Sequence, residues 1–294
     1  MQIVSRNLTF SYNRSKDFER QALNGVDLVI NEGDFFGIVG ETGSGKSTFI
    51  QHLNGLIRVQ SGELKVGDYN LSPKTKAELK TYKKSLFSLR SKVGMVFQYP
   101  EYQLFAETVY DDVSFALKNF SPNLEKEEVS KKVKKAIELV GLDYEKVKNK
   151  SPFDLSGGQK RRVAIAGVLV SEPEVLILDE PVAGLDPIGK KRLMSLLHTL
   201  HEVGVVKTIV IVSHDMDEIC ENVNRVALFL NGKAVKVCTP KELFESDSEE
   251  AKRLKLPVTC YLKNALNSVG VEIDGGIKTE EFIRKVAEKY KNKG

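Results

Sequence analysis

The stretch FFGIVGETGSGKSTFI, Phe35 to Ile50, constrains this chain more than any other. Phe35–Val39 is a short apolar run that ends in glycine, the pattern of a buried strand. Phe49, Ile50, Leu53, Leu56 and Ile57 then fall at helical spacing across Lys46–Ile57. The linking run fits G-x-x-x-x-G-K-[ST], a loop whose backbone N–H groups cradle phosphates. Gly40, Glu41, Thr42, Gly43, Ser44, Gly45, Lys46, Ser47 and Thr48 are therefore the expected binding set. Glycines let the backbone wrap closely around oxygens. Lys46 adds a mobile positive charge for the β and γ phosphates. Ser47 offers a hydroxyl ligand to Mg²⁺. The helix that starts here turns its positive dipole end toward the anion.

Val93–Phe97, Val175–Leu178, Ile209–Val212 and Val226–Leu230 are further short apolar runs, typical of strands covered on both faces. Helical patterns separate the last three, one of them carrying Leu193, Leu196, Leu197 and Leu200. This alternation predicts an α/β fold with a mostly parallel sheet core. Glu125–Val140 places Val129, Val133, Ile137 and Val140 on one helical face, with Gly141 as its stop. That helix belongs to a helical subdomain inserted at about residues 100–170. Past about residue 240 the pattern changes. KELFESDSEEAKRLKLP reads as charged and helical, and short helices follow. The expected division is a domain over 1–240 and a C-terminal extension over 241–294 with no chemistry of its own. Lys74 to Lys92 holds seven Lys/Arg and one Glu, either a solvated loop and helix face or a surface near anionic lipid.

Composition narrows the partners. The formal charge of +4 over 294 residues does not argue for nucleic acid. Cys220, Cys238 and Cys260 form no C-x-x-C pair and fit a reducing cytoplasm. No apolar run approaches the ~18 residues of a membrane span, and MQIVSRNLTF has no signal-peptide core. Any membrane role is expected to come through a partner.

VLILDEP, Val175 to Pro181, puts two carboxylates at the end of an apolar strand. Neighbouring side chains on a strand point opposite ways, so Asp179 and Glu180 cannot share one task. In phosphate-loop enzymes an Asp here holds the metal, which leaves Glu180 as the general base or water-orienting group. DLSGGQKRRVAIAG, Asp154 to Gly167, opens a helix with a serine and free N–H groups, a second anion site. Two separate phosphate sites in one chain suit a two-fold pair in which each nucleotide lies between one chain's phosphate loop and the other's serine-glycine run.

At this point the sequence resembles an ATP-binding-cassette ATPase over roughly residues 1–240. The resemblance implies an N-terminal antiparallel β portion, a C-terminal helical extension and Mg²⁺ as cofactor, with ATP as substrate. It also implies that the head-to-tail dimer closes on ATP. Tyr12 matches the aromatic placed against adenine; the plain alternative is a half-buried strand tyrosine. Gln98 matches the glutamine that meets metal and attacking water, so the metal set is Ser47, Gln98 and Asp179. Glu180, His214 and Gln98 form the catalytic set, His214 matching a γ-phosphate histidine. Ser156, Gly157, Gly158 and Gln159 match the signature that acts in trans. Gly184, Leu185 and Asp186 match the loop that communicates across the dimer. Val182 departs from the Thr or Ser common at its position.

FQYPEYQLFAETVYDDVSFAL, with KRRVAIAGVLV and DEPVAGLDP, resembles the ATPases of energy-coupling factor importers, and more closely the second of their two paralogous ATPases. That resemblance implies three partners: a second related ATPase subunit (heterodimer, or homodimer), a transmembrane coupling protein, and a separate membrane-embedded binder for vitamins or metal ions. It places the chain peripherally on the cytoplasmic face of the cell membrane. Tyr102, Leu104 and Phe105 supply apolar anchors for a partner helix, and Glu101 and Glu107 pair with its basic residues. The alternative is that Leu104 and Phe105 pack the helical subdomain. A soluble cassette ATPase acting on nucleic acid or ribosomes is the competing function; a single phosphate loop and no heptad run stand against it.

Overall fold

The computed structural model describes residues 1–13, 19–245, 248–273 and 275–291. The chain opens with β1 (Ile3–Tyr12) and β2 (Arg20–Ile30), then β3 (Phe35–Val39) and α1 (Lys46–Leu53). β4 (Ser61–Val66), β5 (Tyr69–Asn70), α2 (Lys76–Lys92) and β6 (Val93–Val96) follow. A helical run comes next: α3 (Val109–Phe120), α4 (Lys126–Leu139), α5 (Tyr144–Val147) and α6 (Gly157–Leu169). The chain returns through β7 (Val175–Asp179), α7 (Pro187–Glu202), β8 (Thr208–Val212), α8 (Met216–Asn222), β9 (Arg225–Leu230) and β10 (Lys233–Cys238). It closes with α9 (Pro240–Phe244), α10 (Val258–Ser268) and α11 (Thr279–Lys291).

Two sheets form. β2-β1-β4-β5 is antiparallel, and β10-β9-β3-β8-β7-β6 is parallel except for the β9–β10 hairpin. Residues β3 through β9 contribute to the second sheet are nearly all buried, because both its faces are covered. Alternate residues serve opposite faces. Leu176, Leu178, Ile209 and Ile211 join a core with α3, α4, α6 and α7. Val175, Ile177, Val210 and Val212 join a second core with α1 and the antiparallel sheet. With β3, β6, β7 and β8 parallel, the loops that leave their C-terminal ends lie along one edge.

Three expectations need adjustment. The helix after the phosphate loop ends at Leu53 rather than Ile57, because Gly55 takes a left-handed φ of +68° and turns the chain. The basic stretch from Lys74 is one continuous helix, α2, started by a reciprocal cap between Thr75 and Glu78. The segment KELFESDSEEAKRLKLP is mostly not helical. α9 stops at Phe244, Ser246 and Asp247 lie outside the described residues, and only a 3₁₀ turn at Ala251–Arg253 follows. There the Ser248 hydroxyl accepts the Ala251 N–H, the local competition by which serine favours turns over helix interiors.

Candidate active site

The phosphate loop is shaped by where a side chain cannot go. Gly40 (φ +146°) and Gly45 (φ +101°) sit in conformations that L side chains avoid. A Cβ would run into the Phe229 carbonyl at Gly40 and the Ala22 carbonyl at Gly45. Inside the loop, Ser44 Oγ is buried without a hydrogen-bond partner, an orphan that an incoming anion would satisfy. Lys46 Nζ donates to the carbonyls of Gly40 (2.8 Å) and Glu41 (2.9 Å). Burial pushes the Lys46 ammonium down, while the carboxylates of Glu180 and Asp179 push it back up.

One cleft of about 630 Å³ collects Tyr12, the loop residues Gly40–Gly43 and Gly45–Thr48, Gln98, Asp179, Glu180 and His214. Tyr12 is exposed and its hydroxyl lies 3.2 Å from Thr48 Oγ1. Burial raises the Asp179 carboxyl, and a hydrogen bond from Ser47 opposes that rise. Ser47, Gln98 and Asp179 thus offer only oxygen, which fits Mg²⁺. Among the described residues no group of three or more His, Cys, Asp or Glu forms a metal cage. A cation here would lean on phosphate and water oxygens, as Mg²⁺ does in nucleotide sites.

Glu180 has a φ of +50°, costly for a residue with a Cβ. Its N–H donates to Val212 O at 2.9 Å, and its carbonyl accepts from Ala183 at 3.1 Å. The carboxylate, mostly buried, accepts from His214 Nδ1–H at 2.6 Å, while His214 itself is exposed. That bond fixes the imidazole tautomer.

The signature lies elsewhere. Ser156 caps α6, sharing a reciprocal cap with Gln159. Ser156 and Gly158 line a different cleft, together with Gly184, Leu185 and Asp186. Asp186 in turn caps α7 through the Gly189 N–H. The two motif groups face their own surface and not this chain's phosphate loop.

The loop after Gln98 divides. Tyr102 is 84 % exposed and Phe105 59 % exposed, with Phe105 set edge-on against Phe115. Leu104 corrects the sequence reading: at 6 % exposure it is packed in the core beneath the helical arm and offers no anchor. Glu101 is also redirected, since it faces Arg161 at 3.5 Å within the chain. Arg161 is buried and donates to the carbonyls of Pro181 (2.8 Å) and Ala183 (3.0 Å). It ties the signature helix to the loop after β7. Val182 is buried in the core, which suits its lack of a hydroxyl.

Two features escaped the sequence. Glu218 on α8 is buried, accepts from Ser213 Oγ at 2.8 Å, and is pushed up to about 7, mainly by burial. Arg253, Leu254 and Lys255, which come from the C-terminal extension, also line the phosphate cleft. Glu218 lies four residues past His214 and Arg253 far from any motif, and no sequence pattern marked either as buried or cleft-lining.

The sheet order, the phosphate loop and the paired carboxylates define a cassette-type phosphate-loop ATPase. Residues 23–183 match the ABC transporter family. The chain is 46 % identical to the energy-coupling factor transporter ATP-binding protein EcfA2 of Clostridium tetani, over 97 % of this chain and 96 % of that protein. It is 43 % identical to EcfA2 of Clostridioides difficile, over 100 % and 99 %. Among solved structures it is similar to cbiO1 from Clostridium perfringens, part of the ABC transporter complex cbiONQ. That similarity has a TM-score of 0.73 and 35 % identity over 91 % of this chain and 96 % of that one. The cassette MJ0796, in a dimeric post-hydrolysis state bound to ADP and Pi, has a TM-score of 0.69 and 29 % identity. It spans 81 % of this chain and 98 % of its own. The chain belongs to the ABC transporter family and, within it, to the EcfA2-type ATP-binding subunits of energy-coupling factor transporters. It is an ATPase coupled to membrane transport. No helix among the described residues is long and apolar enough to cross a membrane.

Proposed function

We propose that this chain holds ATP between Tyr12 and the loop Gly40–Thr48, and hydrolyses it with Glu180 as base toward the attacking water. The observation that carries this reading is the split of the motifs between two clefts. Tyr12, Lys46, Gln98, Asp179, Glu180 and His214 share one. Ser156, Gly158 and Gly184–Asp186 share the other. A head-to-tail pair brings the second cleft of one subunit over the first cleft of its companion.

Lys46 neutralises charge on the β and γ phosphates, and the loop N–H groups hold them. Gln98 and His214 orient the terminal phosphate and the water. Glu180 takes the water's proton as the new P–O bond forms and ADP leaves. Ser47, Gln98 and Asp179 would hold Mg²⁺, which would supply charge neutralisation on the phosphates. The companion is a second related ATPase. Tyr102 and Phe105 grip a helix of a transmembrane coupling protein that works with a separate membrane-embedded binder for vitamins or metal ions. Their exposure beside Gln98 supports this, because movement at the nucleotide reaches them within a few residues. The chain then sits peripherally on the cytoplasmic face of the membrane.

The test is Ser156→Arg. The isolated chain should bind ATP as wild type, and the assembled complex should lose turnover. Loss of ATP binding by the isolated chain would sink the two-cleft arrangement.

A further inference from the structure

Arg253, Leu254 and Lys255 close one side of the phosphate cleft, yet they come from beyond the last strand. Their position is fixed by the fold. Ala251 is buried in the core, Leu254 packs partly against that core, and the Leu254 N–H donates to Ala251 O at 3.0 Å. A few residues on, the Val258 N–H donates to Asp217 Oδ1 at 2.7 Å. The Thr279 N–H donates to Glu221 Oε1 at 2.6 Å. Both acceptors lie on α8, which starts two residues after His214. The extension is thus clipped to α8, the helix that follows His214.

The backbone at Leu254 is extended (φ −81°, ψ 149°), and Arg253, Leu254 and Lys255 all line the cleft. Arg253 and Lys255 are both exposed, and among the described residues neither makes an ion pair or side-chain hydrogen bond. The cleft also holds three carboxylates, on Glu41, Asp179 and Glu180. Lys46 is already partly engaged by two carbonyls. Two unpaired cations in the same cleft as a phosphate loop suit a phosphate, and the guanidinium fork matches its oxygens in pairs.

We propose that Arg253 and Lys255 bind the terminal phosphate of ATP, making the C-terminal extension a device that tells ATP from ADP. This rests on the reading that the cleft holds ATP with its terminal phosphate near His214. ADP lacks the group these side chains reach, so their loss weakens ATP more than ADP.

The experiment measures equilibrium binding of radiolabelled ATP and ADP to the full chain in a Glu180→Gln background, which slows turnover. Arg253→Ala with Lys255→Ala should raise the ATP dissociation constant at least about threefold more than that of ADP. Arg253→Gln with Lys255→Gln keeps polar length and should shift the ratio the same way. A ratio that changes by less than about threefold in both pairs, including a parallel loss of both affinities, overturns the inference. Lys46→Ala separates this from the parent reading. If it leaves ATP binding intact, the phosphate cleft is not the ATP site. If it abolishes binding while the extension variants keep the wild-type ratio, only the extension inference falls.

Discussion

Two loops leave the same edge of the parallel sheet and are built by opposite means. The loop after β3 is made of backbone. Gly40 and Gly45 stand where a Cβ would strike a carbonyl, and Ser44 and Lys46 are buried within it. The loop after β6 is made of side chains. Tyr99, Tyr102 and Phe105 are exposed, while its backbone is pinned by buried Asp112, which accepts the N–H groups of Phe105 (2.9 Å) and Ala106 (3.0 Å). The difference follows from the ligands proposed for them. Phosphate oxygens are small and identical, so N–H groups at fixed positions suffice. A protein helix is recognised by the shape of its side chains, so the receiving loop must present side chains of its own.

The largest effect should come from the chemistry beside the backbone loop. Glu180→Gln should cut ATP turnover by about 100-fold or more, the range for a lost general base, with ATP binding retained. Near-wild-type turnover would remove Glu180 from its proposed role. Next comes the backbone itself. Gly45→Ala should destabilise the fold by about 2–4 kcal/mol through strain and a steric clash and abolish ATP binding. Gly33→Ala is the control: its φ is +89° but nothing lies within 4 Å, so the cost should stay near the ~1 kcal/mol of a left-handed alanine. Equal costs in thermal unfolding would mean that space does not decide the loop's glycines.

The second loop sharpens the contrast through adjacent residues. Leu104→Ala should cost about 2–3 kcal/mol of stability, because it opens a cavity. Tyr102→Ala with Phe105→Ala should leave stability within about 0.5 kcal/mol but weaken association with membrane partners about tenfold or more. Undiminished association in a pull-down would refute the anchoring role.

The smallest effect concerns Glu218, behind His214. Its folded-state carboxyl is pushed up to about 7 from an ordinary 4.5. The folded chain then binds the proton more tightly than the unfolded chain. This contribution to stability is full below the ordinary value and is lost as pH rises through the folded one. Glu218→Gln should remove that slope and be about 1–2 kcal/mol more stable than wild type at pH 8. Denaturant midpoints between pH 4.5 and 8 measure it, and parallel profiles for the two chains would contradict it.

The parts legible in the sequence share one property: their meaning is carried by neighbours in the chain. Strand, glycines and helix make the phosphate loop within the stretch from Phe35 to Leu53. Asp179 and Glu180 show as a carboxylate pair at the end of an apolar strand, and Ser156 declares itself as a helix cap. The five parallel core strands show as short apolar runs because a sheet covered on both faces leaves no polar alternation. Leu104 and Phe105 show the limit. They are neighbouring apolar residues in one loop, and only packing sends one inward and one outward. The extension shows it again, since its charged composition resembles a solvated helix until α8 draws it to the cleft.

The sequence by itself determined the phosphate loop, the acidic pair, the signature and the class of sheet, because each is a local pattern with its own backbone or strand geometry. Only the tertiary structure decided that Arg161 joins the signature helix to the loop after β7, that Glu218 is buried behind His214, and that Arg253 and Lys255 reach the phosphate cleft. Most of those groups lie far apart along the chain, and burial and convergence exist only once the layers have packed.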